Sequence, residues 1–552
     1  MNPRSVIEGV SQAACWAGPL PAMRREAHLG NRVVHCFSER PHSVYQMFVE
    51  AVARSGSKEA LVCDGQRLTW DEVHAEVARV AGGLAARGVL AGDRVGLLLH
   101  SSNEFVIAFL ACARLGAIAV PLSTRSQTPE LLYILNHCSA KALFHDDELG
   151  PLLPAAEQTP ALMVRIVVGS FPDSVSWQAL LDPCIDWEAR VSEDETAAIV
   201  YTSGTTGHPK GAMLSHLNIV HGAMHYQTCM GLGSDERSLV AVPMSHVTGL
   251  IALVATALRC ASTLIVMRSF KTADFLALAS QERMTHTVLV PTIYNLCLLQ
   301  PDFERYDLSA WRVGGFGGAA MPPATIAALA RRAPGLQLMN AYGATETVCA
   351  VAITPGTETV AHLDRVGRVV PCAEIVIMDE NGIEQPANQQ GEIWIKGPMV
   401  ATGYWENPEA TKDNFPGGFW RSGDIGSIND EGFVGIYDRK KDMINRGGYK
   451  IFTVEVENVL AAHPAVLEAA VVAKPCPVLG ERVHAFVAMV DASVEEDTLR
   501  RFCAERMSDY KVPESFSLSA EPLPRNANGK VLKRVLREQA ATIAPLTTKS
   551  SR

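Results

Sequence analysis

Apolar stretches of strand length alternate with amphipathic helical patterns over the first quarter of the chain, and this alternation restricts the fold more than any other feature. Glu59–Cys63 and Ile118–Pro121 are apolar runs too short for helices. Between them, Asp71–Gly88 repeats apolar residues at helical spacing, Asp93–Leu99 is a third apolar run, and Phe105–Leu115 is again helical. Because strands that alternate with helices pair in parallel, the sequence predicts an α/β fold with a mainly parallel sheet.

The alternation continues to about residue 365 and then gives way to short strands separated by turn residues. The later strands of the alternating part are Leu239–Val242, Thr263–Val266 and Thr287–Leu289. The short strands beyond them are Glu374–Met378, Gly391–Lys396 and Phe433–Tyr437. This change favours a β-rich portion in the second half of the chain.

These patterns predict the domain organisation. We expect an N-terminal extension (residues 1–44), a large domain (45–437), a charged hinge (438–442) and a small C-terminal domain with a polar tail (443–552). The fold class is then α/β, with a large N-terminal lobe that holds parallel-rich sheets and the β-rich portion, followed by a small mobile α+β domain.

Composition and charge exclude several classes of protein. A chain of 552 residues with 48% hydrophobic residues is long enough for several domains with substantial cores. Its 49 Lys+Arg and 59 Asp+Glu give a net charge of −10, so no nucleic-acid partner is expected. The 13 cysteines lack the paired spacing of zinc knuckles or redox motifs, and scattered free thiols favour a reducing compartment.

The sequence also predicts a cytoplasmic protein without a membrane span. Its N-terminus has no uninterrupted apolar region of the kind that a secretion signal needs. The most apolar long stretch, Val106–Leu122, is interrupted by Arg114, Gly116 and Pro121, so it reads as a buried helix followed by a strand.

The strongest local signal is the loop Tyr201–Gly211, which reads YTSGTTGHPKG and follows the apolar strand Ala197–Val200. Its glycines and hydroxyl side chains supply N–H and O–H donors of the kind that surround phosphate oxygens, and Lys210 adds a positive charge. The loop is not a Walker A motif, since Lys210 is followed by a glycine rather than by Ser or Thr. An ordinary Ser/Thr/Gly turn is the alternative.

Four further motifs follow this loop along the chain. They are Asn340–Glu346 (NAYGATE), Trp420–Asp424 (WRSGD), Tyr437–Asp442 (YDRKKD) and Pro524–Lys530 (PRNANGK). Together with the loop they resemble the acyl-adenylate-forming superfamily, which includes acyl-CoA synthetases, nonribosomal adenylation domains and beetle luciferases. The resemblance implies an AMP-forming acid–CoA ligase that uses ATP, Mg²⁺ and coenzyme A. A carboxylate would first form an acyl-adenylate and pyrophosphate, and coenzyme A would then give acyl-CoA and AMP.

The resemblance also implies the nucleotide site. Thr345 would contact the α-phosphate and Glu346 would hold Mg²⁺, a hard cation that takes oxygen ligands. The alternative is a helix start with Thr345 as its cap. Asp424 would accept the ribose hydroxyls with help from Arg439, and Tyr342 would stack on adenine. The complete predicted set is Thr202, Ser203, Gly204, Thr205, Thr206, Gly207, Lys210, Gly318, Ala319, Asn340, Ala341, Tyr342, Gly343, Thr345, Asp424, Arg439 and Lys530.

The resemblance implies that Lys530 is the adenylation lysine, whose ammonium would stabilise the negative charge that gathers at the α-phosphate, and an exposed lysine in a turn is the alternative. His246 is predicted to position the carboxylate, with a purely structural histidine as the alternative. Lys533, close to Lys530, is read as a solvated charge. The predicted catalytic residues are Lys530, Thr345, Glu346 and His246. The resemblance places Gly447, Gly448 and Tyr449 along the coenzyme A tunnel, where a simple turn is the alternative, and Lys441 at the pivot of the hinge.

The resemblance implies an acid without an amino group, because amino-acid adenylation domains carry an aspartate that pairs with the substrate ammonium and Val242–Gly249 has none. No carrier-protein segment is recognised after Lys530, which favours coenzyme A as the acceptor. The predicted acyl pocket is Val247, Gly249, Gly315, Gly317 and Met339. Because an apolar lining suits an apolar tail and the glycines of 314–318 would leave room, we predict a medium- to long-chain fatty acid.

Several alternatives remain at this point. The acid is alternatively an aryl or alicyclic one, or the acyl group is loaded onto a carrier protein instead of coenzyme A. A catalytically silent ATP-binding sensor and a luciferase are further possibilities. The sequence leaves monomer and homo-oligomer equally open.

Overall fold

The computed structural model describes residue 16 and residues 20–181, 188–202, 209–490, 494–525 and 531–543. The described residues fall into two compact units. The first comprises the chain through Val376 with Trp394–Ser422 and Asp430–Val434, and the second comprises Ile377–Ile393, Gly423–Asn429 and the chain from Gly435 onwards. The division at Gly435 lies shortly before the predicted hinge, and two earlier segments belong to the C-terminal unit.

The first unit contains eighteen complete strands. They are β1 (Met23–His28), β2 (Arg32–Phe37), β3 (Glu59–Cys63), β4 (Gln66–Thr69), β5 (Arg94–Leu98), β6 (Ile118–Pro121), β7 (Ala142–Asp146), β8 (Val164–Val168), β9 (Val175–Ser176), β10 (Thr196–Thr202), β11 (Lys210–Ser215), β12 (Arg237–Val240), β13 (Thr263–Val266), β14 (His286–Leu289), β15 (Val313–Phe316), β16 (Gln337–Gly343), β17 (Ala350–Ile353) and β18 (Gly367–Val369), counted over the described residues.

The α-helices of the first unit lie between these strands. They are α1 (Val44–Ser55), α2 (Trp70–Ala86), α3 (Asn103–Leu115), α4 (Thr128–His137), α5 (Trp177–Leu180), α6 (His216–Met230), α7 (Thr256–Cys260), α8 (Thr272–Gln281), α9 (Pro291–Leu298), α10 (Pro323–Arg332) and α11 (Pro408–Asn414). A π-helix covers Thr248–Ala255, and a short 3₁₀ turn covers Thr345–Thr347.

Two sheets carry the first unit. In one, the strand order is β11-β10-β6-β5-β7-β8-β9, and all neighbouring strands except β10 and β11 are parallel. In the other, β16, β15, β14, β12, β13 and β3 form a parallel run with antiparallel neighbours at its ends, β17 beside β16 and β4 beside β3. These sheets confirm the predicted α/β class and the parallel-rich N-terminal part.

Helix α3 illustrates how the sequence determines the interior. The Ser102 side chain caps its start by accepting from the backbone N–H of Phe105, and Gly116 ends it in the left-handed conformation at φ 67°. Every residue of α3 except Glu104 is buried, which explains the apolar stretch that the sequence shows there. In the described parts of the chain, no helix is both long and apolar enough to cross a bilayer.

A hairpin of β1 and β2 lies within the part of the chain that sequence analysis treats as an extension. The two strands pair antiparallel from Met23 opposite Phe37 to His28 opposite Arg32. Strand β1 reads MRREAH and is largely exposed, so it offers no apolar alternation from which a strand is predicted.

The second unit combines a sheet with helices, as predicted for the C-terminal part. Four strands have residues in both units: β19 (Glu374–Met378), β20 (Gly391–Lys396), β21 (Trp420–Ile428) and β22 (Phe433–Arg439). The elements that follow are β23 (Ile444–Arg446), β24 (Tyr449–Ile451), α12 (Thr453–Ala461), β25 (Val466–Cys476), β26 (Gly480–Met489), α13 (Glu496–Ala504), β27 (Ser515–Ser519) and α14 (Lys533–Thr542). Strand β26 pairs antiparallel with β25 and β23 and parallel with β27.

Candidate active site

The glycine-rich loop connects β10 to β11, whose pairing sets Thr202 opposite Lys210. The Thr202 hydroxyl donates to the backbone carbonyl of Lys210 at 3.4 Å. The predicted phosphate contacts within the loop, Ser203, Gly204, Thr205, Thr206 and Gly207, lie outside the described residues, and so does Lys530. The structure therefore defines both ends of the loop and brings the hydroxyl of Thr202 to the same end of the hairpin as Lys210.

A buried tyrosine links Lys210 to the predicted metal ligand. The Tyr404 hydroxyl donates to Oε1 of Glu346 at 2.9 Å, and Nζ of Lys210 lies 5.0 Å from the centre of the Tyr404 ring. Tyr404 is 5% exposed, and its burial together with the neighbouring Glu346 carboxylate raises the pKa of its hydroxyl. The arrangement places a cation over an aromatic ring whose hydroxyl is bound to a carboxylate.

Tyr404 stands in a segment that pairs with the edge of β11. The backbone N–H of Trp405 donates to the carbonyl of Gly211 at 2.8 Å, and that of Met213 donates to the carbonyl of Gly403 at 3.0 Å. The sequence does not distinguish Tyr404, because a single aromatic residue after a glycine has no distinctive pattern. Only the strand pairing shows that it lies beside Glu346.

Glu346 itself lies in a 3₁₀ turn rather than at the start of an α-helix. The turn covers Thr345–Thr347, with Ala344 in the capping position. The Thr347 hydroxyl accepts from the N–H of Ala344 at 2.9 Å and donates to the carbonyl of Cys349 at 2.9 Å. The alternative in which Thr345 caps an ordinary helix therefore does not describe this turn, and Thr345 and Glu346 are held as adjacent, half-buried oxygen donors.

The predicted adenine and acyl residues meet along two parallel strands. Strand β15 pairs with β16 so that Gly315 stands opposite Met339 and Phe316 opposite Asn340. The Asn340 carbonyl accepts from the N–H of Thr354 at 2.9 Å, which joins the middle of β16 to the residue after β17. The predicted residues on these two strands are Gly315, Met339, Asn340, Ala341, Tyr342 and Gly343, and the predicted residues Gly317, Gly318 and Ala319 follow β15 in the chain.

Close packing requires a glycine at positions 315 and 317. A Cβ on Gly317 would lie 2.4 Å from the Ala341 carbonyl oxygen, and one on Gly315 would lie 2.9 Å from Cγ2 of Val288. Gly318 has φ +77° and open space around its Cα. The space beside Gly315 and Gly317 is thus filled by protein atoms, so these glycines do not by themselves indicate a broad acyl pocket.

The segment that carries His246 is fixed by short-range backbone bonds. The N–H of Leu250 donates to the His246 carbonyl at 2.8 Å, and the π-helix begins two residues after His246. Gly249 lies within this helix, where a Cβ would come 2.4 Å from the Pro243 carbonyl oxygen. His246 and Val247 are half-buried, and the positioning role of His246 stays a prediction.

In the second unit the two predicted ribose residues form an ion pair. Nε of Arg439 lies 2.7 Å from Oδ1 of Asp424, whose side chain is 7% exposed. The N–H of Lys440 donates to the carbonyl of Gly423 at 2.8 Å, so the turn that holds Lys441 is fixed to the strand that holds Asp424. The structure therefore brings Asp424, Arg439 and the predicted pivot close together.

Gly447 and Gly448 form the tight turn of the β23–β24 hairpin. Their φ angles are 58° and 95°, which other residues rarely adopt. The Gly448 N–H is bound to Oδ1 of Asn445 at 3.1 Å. Tyr449 is 58% exposed and stacks on Tyr510 with ring centres 4.6 Å apart. The turn itself accounts for both glycines, so a coenzyme A role for them stays a prediction.

Lys533 is not the solvated charge that the sequence suggested. Its Nζ lies 2.6 Å from Oε1 of Glu457 and donates to the Thr453 hydroxyl at 2.7 Å. Burial raises the pKa of Glu457, and the nearby Lys533 ammonium opposes that shift. The chain beyond Lys530 is therefore anchored to α12, a contact that a polar sequence does not reveal.

Residues 48–405 match the family model of the AMP-binding enzyme, and residues 455–530 match that of the AMP-binding enzyme C-terminal domain. A long-chain-fatty-acid–CoA ligase of Mycobacterium tuberculosis, FadD13, is 34% identical over 87% of this chain and 94% of its own length. A feruloyl-CoA synthase of an Amycolatopsis species is 33% identical over 86% of this chain and 94% of its own.

A solved structure is similar over nearly the whole chain. The anthranilate CoA ligase AuaEII in complex with anthranoyl-AMP aligns with a TM-score of 0.84 and 26% identity, covering 91% of this chain and 98% of that one. The three similar proteins bear names with three different acids, one alkyl and two aromatic.

Proposed function

The chain belongs to the family of AMP-binding enzymes and is an AMP-forming acid–CoA ligase, and we propose that its acid is a medium- to long-chain fatty acid. The observation that supports the reaction most directly is the contact series from Lys210 through Tyr404 to Glu346 at the end of the glycine-rich loop. It sets a cation and a carboxylate beside a loop rich in phosphate-binding donors.

The residues of this site fit Mg²⁺. Glu346 offers a half-buried carboxylate next to the Thr345 hydroxyl, and within the described residues only Oε1 of that carboxylate has a hydrogen-bond partner. Oxygen donors of this kind are the ligands that Mg²⁺ prefers. When bound, Mg²⁺ would supply positive charge to the phosphates of ATP. We therefore propose Glu346 as its protein ligand.

The remaining steps are assigned to the chain's own residues. Thr202 and Lys210 would hold phosphate oxygens of ATP, and Thr345 would donate to the α-phosphate while the carboxylate of the acid attacks its phosphorus. The α–β phosphoanhydride bond breaks, pyrophosphate leaves, and an acyl-adenylate results. The thiol of coenzyme A then attacks the acyl carbon, its proton is released, and AMP leaves.

Other predicted residues enter as proposals from their motifs. Asp424 with Arg439 would bind the ribose hydroxyls, and Lys530 would stabilise the charge at the α-phosphate. Gly447, Gly448 and Tyr449 would contact coenzyme A. We also propose that the small C-terminal domain turns about Lys441 when the second half-reaction begins.

The preference for a fatty acid rests on the residues of β15 and β16. Met339, Ala341 and Phe316 are buried and apolar, which suits an acid with an apolar tail. Because protein atoms fill the space beside Gly315 and Gly317, the width that would favour a broad alicyclic acid is not provided by these glycines. A straight alkyl chain is therefore our first choice, and a flat aryl acid is the second, since two similar proteins bear the names of aromatic acids.

A cytoplasmic location is proposed from the cysteines. All eleven cysteines among the described residues are free thiols and are buried, which agrees with folding in a reducing compartment.

The test is the formation of AMP and pyrophosphate across acids of graded length and aromaticity, with and without coenzyme A. We expect the highest kcat/KM with medium- to long-chain fatty acids and thioester formation only with coenzyme A. Glu346→Gln should lower AMP formation to the same extent with every acid. A preference for ferulate or anthranilate would replace the alkyl acid with an aryl one. AMP release that never yields a coenzyme A thioester would instead favour carrier loading, and no AMP with any acid would refute the proposal.

A further inference from the structure

The hairpin of β1 and β2 lies outside the region that the AMP-binding family model matches, yet it is firmly joined to the first unit. The Arg40 side chain, 2% exposed, binds Glu26 of the hairpin at 2.7 Å and Glu193 at 2.7 Å. A buried arginine that binds a carboxylate of the hairpin and another outside it fixes the position of the hairpin, because loss of Arg40 would leave both carboxylates without their cation.

One hairpin side chain reaches the segment beside Glu346. The Arg32 guanidinium donates through Nη1 to the carbonyl of Ala401 and through Nη2 to the carbonyl of Thr402, each at 3.0 Å. Its Cζ lies 5.5 Å from the centre of the Phe415 ring. Two donors on a rigid planar fork bind two successive carbonyls, which the single ammonium of a lysine does not reproduce.

The same segment holds Glu346 at two points. The N–H of Ala401 donates to the Glu346 carbonyl at 2.8 Å, and the Tyr404 hydroxyl donates to the Glu346 carboxylate at 2.9 Å. Arg32 therefore fixes the backbone from which both bonds originate. A carboxylate with one oxygen occupied by a tyrosine hydroxyl has a restricted orientation, which is the usual effect of an outer hydrogen bond on a metal ligand.

We propose that Arg32 is a positioning residue for adenylation, which acts through Tyr404 to orient the Glu346 carboxylate for Mg²⁺–ATP. The N-terminal hairpin is then part of the nucleotide site, although it touches no substrate itself. This inference rests on the proposed function in one respect, the assignment of Glu346 as the metal ligand.

The test compares Arg32→Met, Arg32→Lys and Tyr404→Phe in the full-length protein. Binding of Mn²⁺–ATP, followed by electron paramagnetic resonance without turnover, is measured beside the Mg²⁺ dependence of AMP formation. Loss of an outer partner of a metal ligand weakens metal affinity about 10- to 100-fold, so we expect Tyr404→Phe to weaken Mn²⁺–ATP about 10-fold. Arg32→Met removes two charge-assisted hydrogen bonds, but these bind the backbone at Ala401 and Thr402 and not the carboxylate itself, so the variant should weaken binding roughly 3- to 10-fold. Arg32→Lys should recover little, and KM for the acid should change less than about twofold in all three.

Two controls separate positioning from folding. Arg25 lies in the same hairpin, and its Nε is bound to His35 across the strands, so Arg25→Met perturbs the hairpin without touching Ala401 or Thr402. We expect it to bind Mn²⁺–ATP like the unmodified protein. Because Arg32 acts through Tyr404, the double variant with Tyr404→Phe should bind little worse than Tyr404→Phe alone.

The outcomes distinguish this inference from the proposed function. If Glu346→Gln weakens Mn²⁺–ATP but Arg32→Met does not, or if Arg25→Met weakens it as much as Arg32→Met, the positioning role of Arg32 is refuted and the metal assignment stands. Fully additive losses in the double variant would also refute it. If Glu346→Gln leaves Mn²⁺–ATP binding unchanged, the metal assignment fails and the inference fails with it.

Discussion

Nε of Arg439 binds Oδ1 of Asp424 at 2.7 Å, although the two residues stand in separate motifs of the sequence. Asp424 lies within β21 and Arg439 is the last residue of β22. The nearly buried carboxylate is thus oriented by an arginine that remains 40% exposed. Such a carboxylate keeps a fixed position while it accepts hydrogen bonds from vicinal hydroxyls.

Asp424→Asn is expected to weaken recognition of the ribose. An amide accepts from hydroxyl groups less strongly than a carboxylate, and a hydrogen bond to a charged group is worth about 1.5–3 kcal/mol, so KM for ATP should rise roughly 10-fold or more. The measurement compares ATP with 2′-deoxy-ATP. The unmodified enzyme should prefer ATP, and the variant should lose most of that preference. Glu431→Gln, a change at an exposed carboxylate, is the control, and equal discrimination in both variants would refute a ribose contact by Asp424.

Gly315→Ala tests whether this glycine lines the acyl pocket or packs in the core. A Cβ there would meet Val288 Cγ2 at 2.9 Å and Met230 Cε at 3.1 Å. Overpacking of this kind costs about 1–3 kcal/mol, so we expect a lower free energy of unfolding with an unchanged preference for acid length. Urea denaturation and the kcat/KM series over straight-chain acids measure the two effects. A clear shift towards shorter acids would instead place Gly315 in the pocket.

Elements of the fold that depend on local interactions are predictable from the sequence, whereas contacts between residues far apart in the chain are not. Ile118–Pro121 and Thr263–Val266 have the predicted bounds because apolar runs between turn residues are local signals. Tyr404 was missed because its role depends on pairing with β11, which no local pattern encodes. The packing around Gly315 is not evident from the sequence for the same reason, since the atoms that fill the space beside it come from other elements. The fold was thus largely predictable, whereas the supports of the site were not.

A buried histidine should make the second unit sensitive to acid. His484 is fully buried between the hydroxyls of Ser515 and Ser517, and burial lowers its pKa to about 4, with Lys474 adding to the shift. In the unfolded chain it would titrate near its usual 6.5. Between these two pH values the unfolded state binds more protons than the folded state, so a falling pH favours unfolding. The stability that the neutral His484 contributes to the fold is therefore complete above pH 6.5 and is lost as the pH falls towards 4.

His484→Gln should therefore reduce this acid sensitivity. One such histidine changes the free energy of unfolding by up to about 1.4 kcal/mol per pH unit. Hydrogen exchange of the β26 amides, measured at pH 7 and at pH 5, reports this change for the second unit. The variant should lose less protection than the unmodified protein between the two pH values. His42→Gln is the control, since the His42 side chain is 68% exposed. Equal losses in all three proteins would show that His484 does not carry the effect.

Lys441→Pro tests the proposed pivot. Lys441 stands in the turn between β22 and β23, where the N–H of Asp442 donates to the Arg439 carbonyl at 2.9 Å. Proline fixes φ near −65° and restricts the residue before it. A turn whose backbone angles must change between the two half-reactions would therefore be held in the conformation that belongs to one half-reaction. A backbone penalty of about 3 kcal/mol corresponds to roughly a 100-fold slower step. We expect pyrophosphate exchange to persist while thioester formation from preformed acyl-adenylate falls by about that factor.

Lys441→Ala is the matched control, because it removes the same ammonium but leaves the backbone free. If the ammonium itself were needed for thioester formation, Lys441→Ala would be as impaired as Lys441→Pro. If the turn were only a rigid connection, proline would either leave both half-reactions intact or lower both to the same extent through lost stability. Selective loss of the second half-reaction in the proline variant alone would therefore identify rotation about residue 441 as the step that commits the acyl-adenylate to coenzyme A.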